Sequence, residues 1–303
     1  MKLEVRDLSK HFQGIEALQN ISFSVCSGKA FGLLGRNGAG KTTTLRILMD
    51  IFKADSGEIL LDGKPINPKD YKIGYLPEER GLYPKKKVGE QLMYLAQLRG
   101  LNKIEAKRSM DKWLKRLELQ KHQNCKLENL SKGNQQKVQL IQTLICDPDI
   151  IILDEPFSGL DPVNSQVLQD LVKELVRDEK LVIFSSHQMN YVEDLCEEIA
   201  ILKDGHIVLN GQLEDIKQSF SANRIVLRAS NYNLSKLETL CFENLNHLVT
   251  VYDCKKKGVI LQLLKGKHRN ELLETLIKYN VEIERFDVYK PSLTDIFVLK
   301  AGD

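Results

Sequence analysis

The chain has 303 residues, long enough for two domains, one of ordinary to large size and one small, each able to hold a core. Lysine and arginine together number 44 against 41 aspartates and glutamates, a net charge of +3, too near balance to argue for a nucleic-acid surface. Six scattered cysteines (Cys26, Cys125, Cys146, Cys196, Cys241, Cys254) form no C-x-x-C pair and no Cys/His zinc spacing, so reduced cytosolic thiols are expected. The start, Met1-Lys2-Leu3-Glu4-Val5-Arg6-Asp7, lacks the apolar core of a secretory signal, and no run of about 18 apolar residues occurs. The polypeptide is therefore expected to stay in the cytosol and not to span a membrane by itself.

Residues 3–5 and 21–25 run apolar or alternate around a polar turn, the pattern of antiparallel strands. Between them Phe12 offers a flat apolar face for an adenine ring, or else packs beneath a strand turn. Ala30-Phe31-Gly32-Leu33-Leu34 reads as a buried strand. It feeds Gly35-Arg36-Asn37-Gly38-Ala39-Gly40-Lys41-Thr42-Thr43, which satisfies the phosphate-loop pattern G-x-x-x-x-G-K-[ST] in full. The glycines let successive backbone N–H groups turn inward on phosphates, and a helix opening at Lys41 adds the positive end of its dipole. Lys41 is placed to reach the β- and γ-phosphates and Thr42 to ligate Mg²⁺, so this stretch is read as a nucleoside triphosphate site.

After that helix come a short strand at 57–61 ending in Asp62-Gly63, and a strand from Tyr71 to Leu76 stopped by Pro77. From about 85 to 146 the period turns helical, over Val88 to Leu98, Ile104 to Leu117 and the stretch following Ser131, which predicts an all-helical insert within an α/β domain. The run Lys85-Lys86-Lys87 at its entrance reads as a solvated face or a partner contact. Ile150-Ile151-Ile152-Leu153 then ends in Asp154-Glu155, as expected of a buried parallel strand delivering acids to a sheet edge. Val163 to Val176 reads as a helix, 181–184 as a further buried strand with His187 near its exit, and 199–202 with 206–209 as a hairpin on Asp204-Gly205. Beyond about 220 the spacing predicts strand 224–228, helix 234–240, strands 248–252 and 258–263, helix 269–279, strand 281–288 and an amphipathic stretch from Ser292 to Lys300. This βαββαβ order is that of a ferredoxin-like unit, with Lys255-Lys256-Lys257 at a hairpin tip.

The class of phosphate-loop protein comes from the companions of that loop. Leu130-Ser131-Lys132-Gly133-Asn134-Gln135-Gln136 resembles the LSGGQ signature of ABC ATPases, Ser158-Gly159-Leu160-Asp161 resembles their D-loop, and His187 stands where that family carries its switch histidine. The resemblance covers about residues 1–220. It implies a P-loop NTPase of ABC type, an α/β domain with a mixed sheet and a helical subdomain at about 85–146, followed at 221–303 by a small α+β ferredoxin-like domain. It also implies ATP and Mg²⁺ as ligands and a head-to-tail dimer with two nucleotides sandwiched between subunits. The phosphate-loop residues Gly35, Arg36, Asn37, Gly38, Ala39, Gly40, Lys41, Thr42 and Thr43, with Phe12, would hold one nucleotide. Ser131, Gly133 and Asp161 would close on it from the second subunit. Asp154, with Thr42, suits Mg²⁺; Glu155 suits a general base or water-orienting group, and His187 a contact to the γ-phosphate or the water. Read without the resemblance, Ser131 is a plain helix N-cap.

The chain departs from that pattern at Glu78, where the family usually has glutamine, and at Lys132 and Asn134, which replace a glycine and a glutamine of the signature. Glu78 reads as a metal or partner-coupling residue or as a solvated loop acid; a carboxylate ligates Mg²⁺ but cannot donate an amide hydrogen bond. Together with Pro77-Glu78-Glu79-Arg80-Gly81-Leu82-Tyr83-Pro84 and Pro291-Ser292-Leu293-Thr294-Asp295-Ile296-Phe297, these departures resemble the bacterial sodium- and drug-efflux subgroup serving two-component exporters. That resemblance implies an ATPase held at the inner face of the cell membrane by a separate permease. The rival readings are a soluble ABC ATPase acting on ribosomes or nucleic acid, and a nucleotide-dependent regulator.

Overall fold

A strand with an unbroken apolar run must be covered on both faces, and three such segments set the frame of this protein. The computed structural model describes residues 1–67, 70–79, 81–221, 223–256 and 258–302. Arg80 of the Pro77–Pro84 segment and Lys257 of the tri-lysine lie outside the described residues. The chain divides into two units, Met1–Leu213 with Phe297–Asp303, and Glu214–Ile296.

In the first unit β1 (Lys2–Phe12), β2 (Ile15–Cys26) and β3 (Ala30–Gly35) lead to α1 (Lys41–Leu48). Then come β4 (Ser56–Leu61), the short β5 (Lys64–Pro65), β6 (Ile73–Leu76), and three helices, α2 (Val88–Leu98), α3 (Lys103–Arg116) and α4 (Lys132–Leu144). The order closes with β7 (Ile150–Asp154), α5 (Pro162–Arg177), β8 (Leu181–Ser186), α6 (Met189–Leu195), β9 (Glu198–Lys203) and β10 (His206–Gln212), and α7 (Leu213–Ser221) starts on the last residue of this stretch and continues in the second unit. Two sheets result, an antiparallel β2-β1-β4-β5 and a six-stranded β10-β9-β3-β8-β7-β6. In the larger sheet β9, β3, β8, β7 and β6 run parallel, and β10 is antiparallel at the edge. Every residue of β3, β7 and β8 is buried. Phe23 of the smaller sheet stacks on Phe31 of the larger at 5.1 Å, and both belong to one core.

The strand order fixes where chemistry can occur. With β3, β8 and β7 adjacent and in register (Leu34 opposite Ser186, Asp154 opposite Ser185), the ends of the buried strands open at one edge of the sheet. The helical subdomain is present as α2, α3 and α4, and α3 begins on a capping box in which Asn102 and Glu105 bond each other's backbone N–H groups.

The second unit contains β11 (Arg224–Ala229), α8 (Leu234–Asn244), β12 (Val249–Lys255), β13 (Gly258–Leu263), α9 (Arg269–Lys278) and β14 (Ile283–Val288); α10 (Leu293–Ala301), which ends the chain's regular structure, belongs to it up to Ile296 and to the first unit from Phe297. Its strands are all antiparallel in the order β12-β13-β11-β14, so the first strand sits between the third and fourth, as a ferredoxin-like βαββαβ requires. Ile225, Leu227, Val259 and Leu261 pack there against Leu237 and Cys241 of α8 and Leu272 and Leu276 of α9.

Candidate active site

The turn after β3 cannot be built with side chains everywhere. Gly40 has φ +107°, and a Cβ there would stand 2.6 Å from Leu18 Cδ2 and 2.8 Å from the Ala17 carbonyl. Only glycine permits both the backbone angle and the approach of β2. Ala39 N–H donates to the Arg36 carbonyl at 3.1 Å, closing the loop, and α1 starts at Lys41. Lys41, only 6% exposed, folds back so that Nζ donates to the carbonyls of Gly35 (2.9 Å) and Arg36 (3.4 Å). The same Nζ lies 3.3 Å from Glu155 Oε1. That oxygen is buried and has no hydrogen-bond partner, so the lysine compensates its charge without satisfying it directionally.

Glu155 follows the end of β7 with φ +48°, a left-handed backbone that is costly for a side-chain-bearing residue. Its other oxygen is fixed, with His187 Nδ1 at 2.8 Å from Oε2 and the His187 backbone N–H donating to it at 3.3 Å. One residue earlier, Asp154 is 1% exposed and fully engaged. Its Oδ1 accepts from Ser185 Oγ at 2.5 Å and from Thr42 Oγ1 at 3.3 Å, and its Oδ2 accepts from the Tyr75 hydroxyl at 3.4 Å. Burial, and then the Asp154 charge, push the Tyr75 phenol above its usual range, keeping it a neutral donor. Ser185 Oγ also accepts the Glu155 backbone N–H at 2.9 Å, so one hydroxyl ties both acids to β8. Ser185→Ala is expected to lower stability by about 1–3 kcal/mol, because a buried N–H loses its acceptor. Urea unfolding followed by tryptophan fluorescence measures it, and an unchanged midpoint would count against the tie.

Above these groups is a cavity of about 550 Å³ lined by Arg36, Asn37, Gly38, Gly40, Lys41, Thr42, Thr43, Glu78 and Glu155. Its volume falls in the range of small-molecule sites. The sequence reading missed the rest of the wall: Ile15, Glu16, Ala17 and Gln19 of β2, and Asp204 and Gly205 of the β9–β10 turn. Gly205 N–H donates to the Ala39 carbonyl at 3.2 Å and the Gly205 carbonyl accepts from Gln19 N–H at 2.8 Å, binding that turn to the phosphate loop. A hairpin signal at Asp204-Gly205 was legible, but its destination was not.

Phe12 is not among the lining residues; its ring meets Phe52 edge-on at 5.3 Å, with Lys10 Nζ 5.3 Å from its centroid. Ser131, Gly133 and Asp161 also stand outside the cavity lining. Ser131 is exposed and caps α4, accepting from Asn134 N–H at 3.3 Å, and Asp161 caps α5, accepting from Asn164 N–H at 2.9 Å. Glu78 is exposed on the cavity wall.

The model of the ABC transporter family matches residues 18–158, and that of the DrrA1-3-like ATP-binding protein C-terminal domain matches residues 211–301. The ABC transporter ATP-binding protein YhaQ of Bacillus subtilis is 40% identical over 99% of this chain and 98% of its own length. The chain belongs to the ABC transporter ATP-binding proteins. This ABC ATPase is also 30% identical to the linearmycin resistance ATP-binding protein LnrL of Bacillus subtilis over 99% of the chain and 98% of that protein. A solved ATP-binding subunit of an ABC transporter superposes with a TM-score of 0.67 at 29% identity, covering 79% of this chain and 98% of that one. The ABC ATPase thus binds nucleotide and couples ATP hydrolysis to transport; the ribosome-directed and regulatory readings gain no support from these matches.

Proposed function

We propose that two copies of this chain pair head to tail around two ATP molecules with Mg²⁺ and drive a separate membrane permease that exports its substrate. The observation that carries this reading is the division of the machinery. Lys41, Thr42 and Glu155 line one cavity and Asp154 touches Thr42 from behind it, while the capped N-termini at Ser131 and Asp161 stand outside it. First-turn N–H groups of α4 and the Ser131 hydroxyl form an anion-binding end that the chain's own cavity does not use, which suits the γ-phosphate of a second copy. Residues 1–220 form the ATPase domain in this reading and 221–303 the small C-terminal domain.

The donor set fits Mg²⁺. Among the described residues no three His, Cys, Asp or Glu cluster into a protein cage, and Mg²⁺ commonly takes one or two protein oxygens plus phosphates and waters. Thr42 Oγ1 and Asp154, already in contact, would hold the ion, with Glu78 on the cavity wall as a further carboxylate; the ion neutralises phosphate charge. Lys41 grips the β- and γ-phosphates, the loop N–H groups line them, and Phe12 offers its face to adenine. Glu155, steadied by His187, orients water and accepts its proton.

No helix among the described residues is long and apolar enough to cross a membrane, so a permease supplies the pathway and holds the ATPase at the cytoplasmic face. Export is supported by LnrL, named for linearmycin resistance, and by the match of the C-terminal unit. The test is the mass of the purified chain by light scattering with Mg²⁺ and a non-hydrolysable ATP analogue. A doubling is expected, and a monomer at all analogue concentrations would overturn the pairing.

A further inference from the structure

Gly133 lies in the first turn of α4 and is buried, although the residues on either side are not. A Cβ at Gly133 would come 2.2 Å from Asn164 Nδ2 and 2.8 Å from Asn164 Cγ, and all three of its nearest atoms belong to that one side chain. The space where residue 133 has no side chain is thus filled from within the same chain. Asn164 is in turn held by the Asp161 carboxylate. Its N–H donates to Oδ1 at 2.9 Å and its Nδ2 donates to Oδ2 at 2.5 Å, and these bonds, the backbone one first, hold the Asp161 carboxyl below the usual carboxylate range. A second strut runs parallel, as Gln136 Nε2 on α4 donates to the Pro156 carbonyl beside Glu155 at 3.4 Å.

We propose that Asn164 is a positioning residue: its amide is a wedge between the first turn of α4 and Asp161 that sets the spacing of the two loops offered to the second copy. This rests on the head-to-tail reading above. Ser131 and Asp161 sit on separate helices, α4 and α5, and both must reach one nucleotide; a rigid spacer lets them arrive together, and a displacement of about 1 Å at such a site can cost about a hundredfold. The wedge also gives Gly133 a reason distinct from close approach of phosphate. Alanine is a better helix former than glycine, so in the absence of Asn164 an alanine at 133 is locally tolerable.

The two reasons predict opposite behaviour in a double-mutant cycle on the full chain: Gly133→Ala, Asn164→Ala and the pair. Steady-state turnover, KM for ATP, analogue-driven pairing by light scattering, and binding of a fluorescent ATP analogue to the monomer are measured for each. Gly133→Ala is expected to lower kcat and pairing affinity by about tenfold or more, with monomer binding unchanged. Asn164→Ala is expected to weaken pairing and kcat by a smaller factor, and adding it to Gly133→Ala to restore both to the level of Asn164→Ala alone. If Gly133→Ala does not fold, recovery of a folded, analogue-binding chain in the double variant reads the same contact. A double variant as impaired as Gly133→Ala, or an Asn164→Ala chain changed only in melting temperature, overturns the wedge. A wild-type chain that never pairs on the analogue sinks the head-to-tail reading and the wedge with it; normal pairing with an unchanged cycle sinks the wedge alone.

Discussion

Glu155→Gln is expected to lower ATP turnover about 1,000-fold while leaving ATP binding within a few-fold of the wild type, the middle of the range for losing a positioned general base. The substitution keeps the shape of the side chain, and its carbonyl oxygen can still accept from the His187 backbone N–H where Oε2 now does at 3.3 Å. What it loses is the carboxylate charge of a residue that lines the cavity and whose Oε1 is buried without a hydrogen bond, and with it the ability to take a proton from water. Phosphate release in steady state and calorimetric titration with ATP measure the two halves. Turnover within tenfold of the wild type would remove Glu155 from the role assigned to it.

Lys41→Ala is expected to act on binding first. Charge-assisted hydrogen bonds contribute roughly 1.5–3 kcal/mol each, so losing the ammonium at the phosphates should weaken ATP affinity about a hundredfold. A second effect appears with no nucleotide present. Lys41 and Glu155 are each 6% exposed and 3.3 Å apart, and removing one partner of a buried pair strands the other charge at a cost of about 3–5 kcal/mol. The combined variant Lys41→Ala, Glu155→Gln should regain much of that stability without regaining affinity. Chemical denaturation of the four forms, beside nucleotide titration, checks both statements, and independent additive losses would contradict the pairing.

The parts legible in the sequence were those whose pattern is local. The phosphate loop, the acids ending an unbroken apolar strand, the three helices of the insert and the βαββαβ order all declared themselves by spacing within a dozen residues. The first strand did not. Its period-two alternation was read only over residues 3–5, whereas β1 runs from Lys2 to Phe12, because Asp7 takes φ +48° and the pairing shifts register between Val5 and Leu8. That bulge returns Leu8 to the core and breaks the alternation. The short α6 carries too few turns to show a period. The approach of Asn164 to Gly133 and that of Gly205 to Ala39 depend on tertiary placement, the second across more than 150 residues, which no window along the chain contains.

His187 fastens one oxygen of Glu155 and Lys41 faces the other, so the carboxylate is held between two nitrogen partners. On the proposed reading, nucleotide arrival would be an exchange, in which the lysine trades a carboxylate for phosphates and the acid is released to meet water. Once the terminal phosphate had departed, the same pairing would be there to re-form. Such a cleft would be a self-resetting latch, in which Lys41 passes from one anionic partner to another and back.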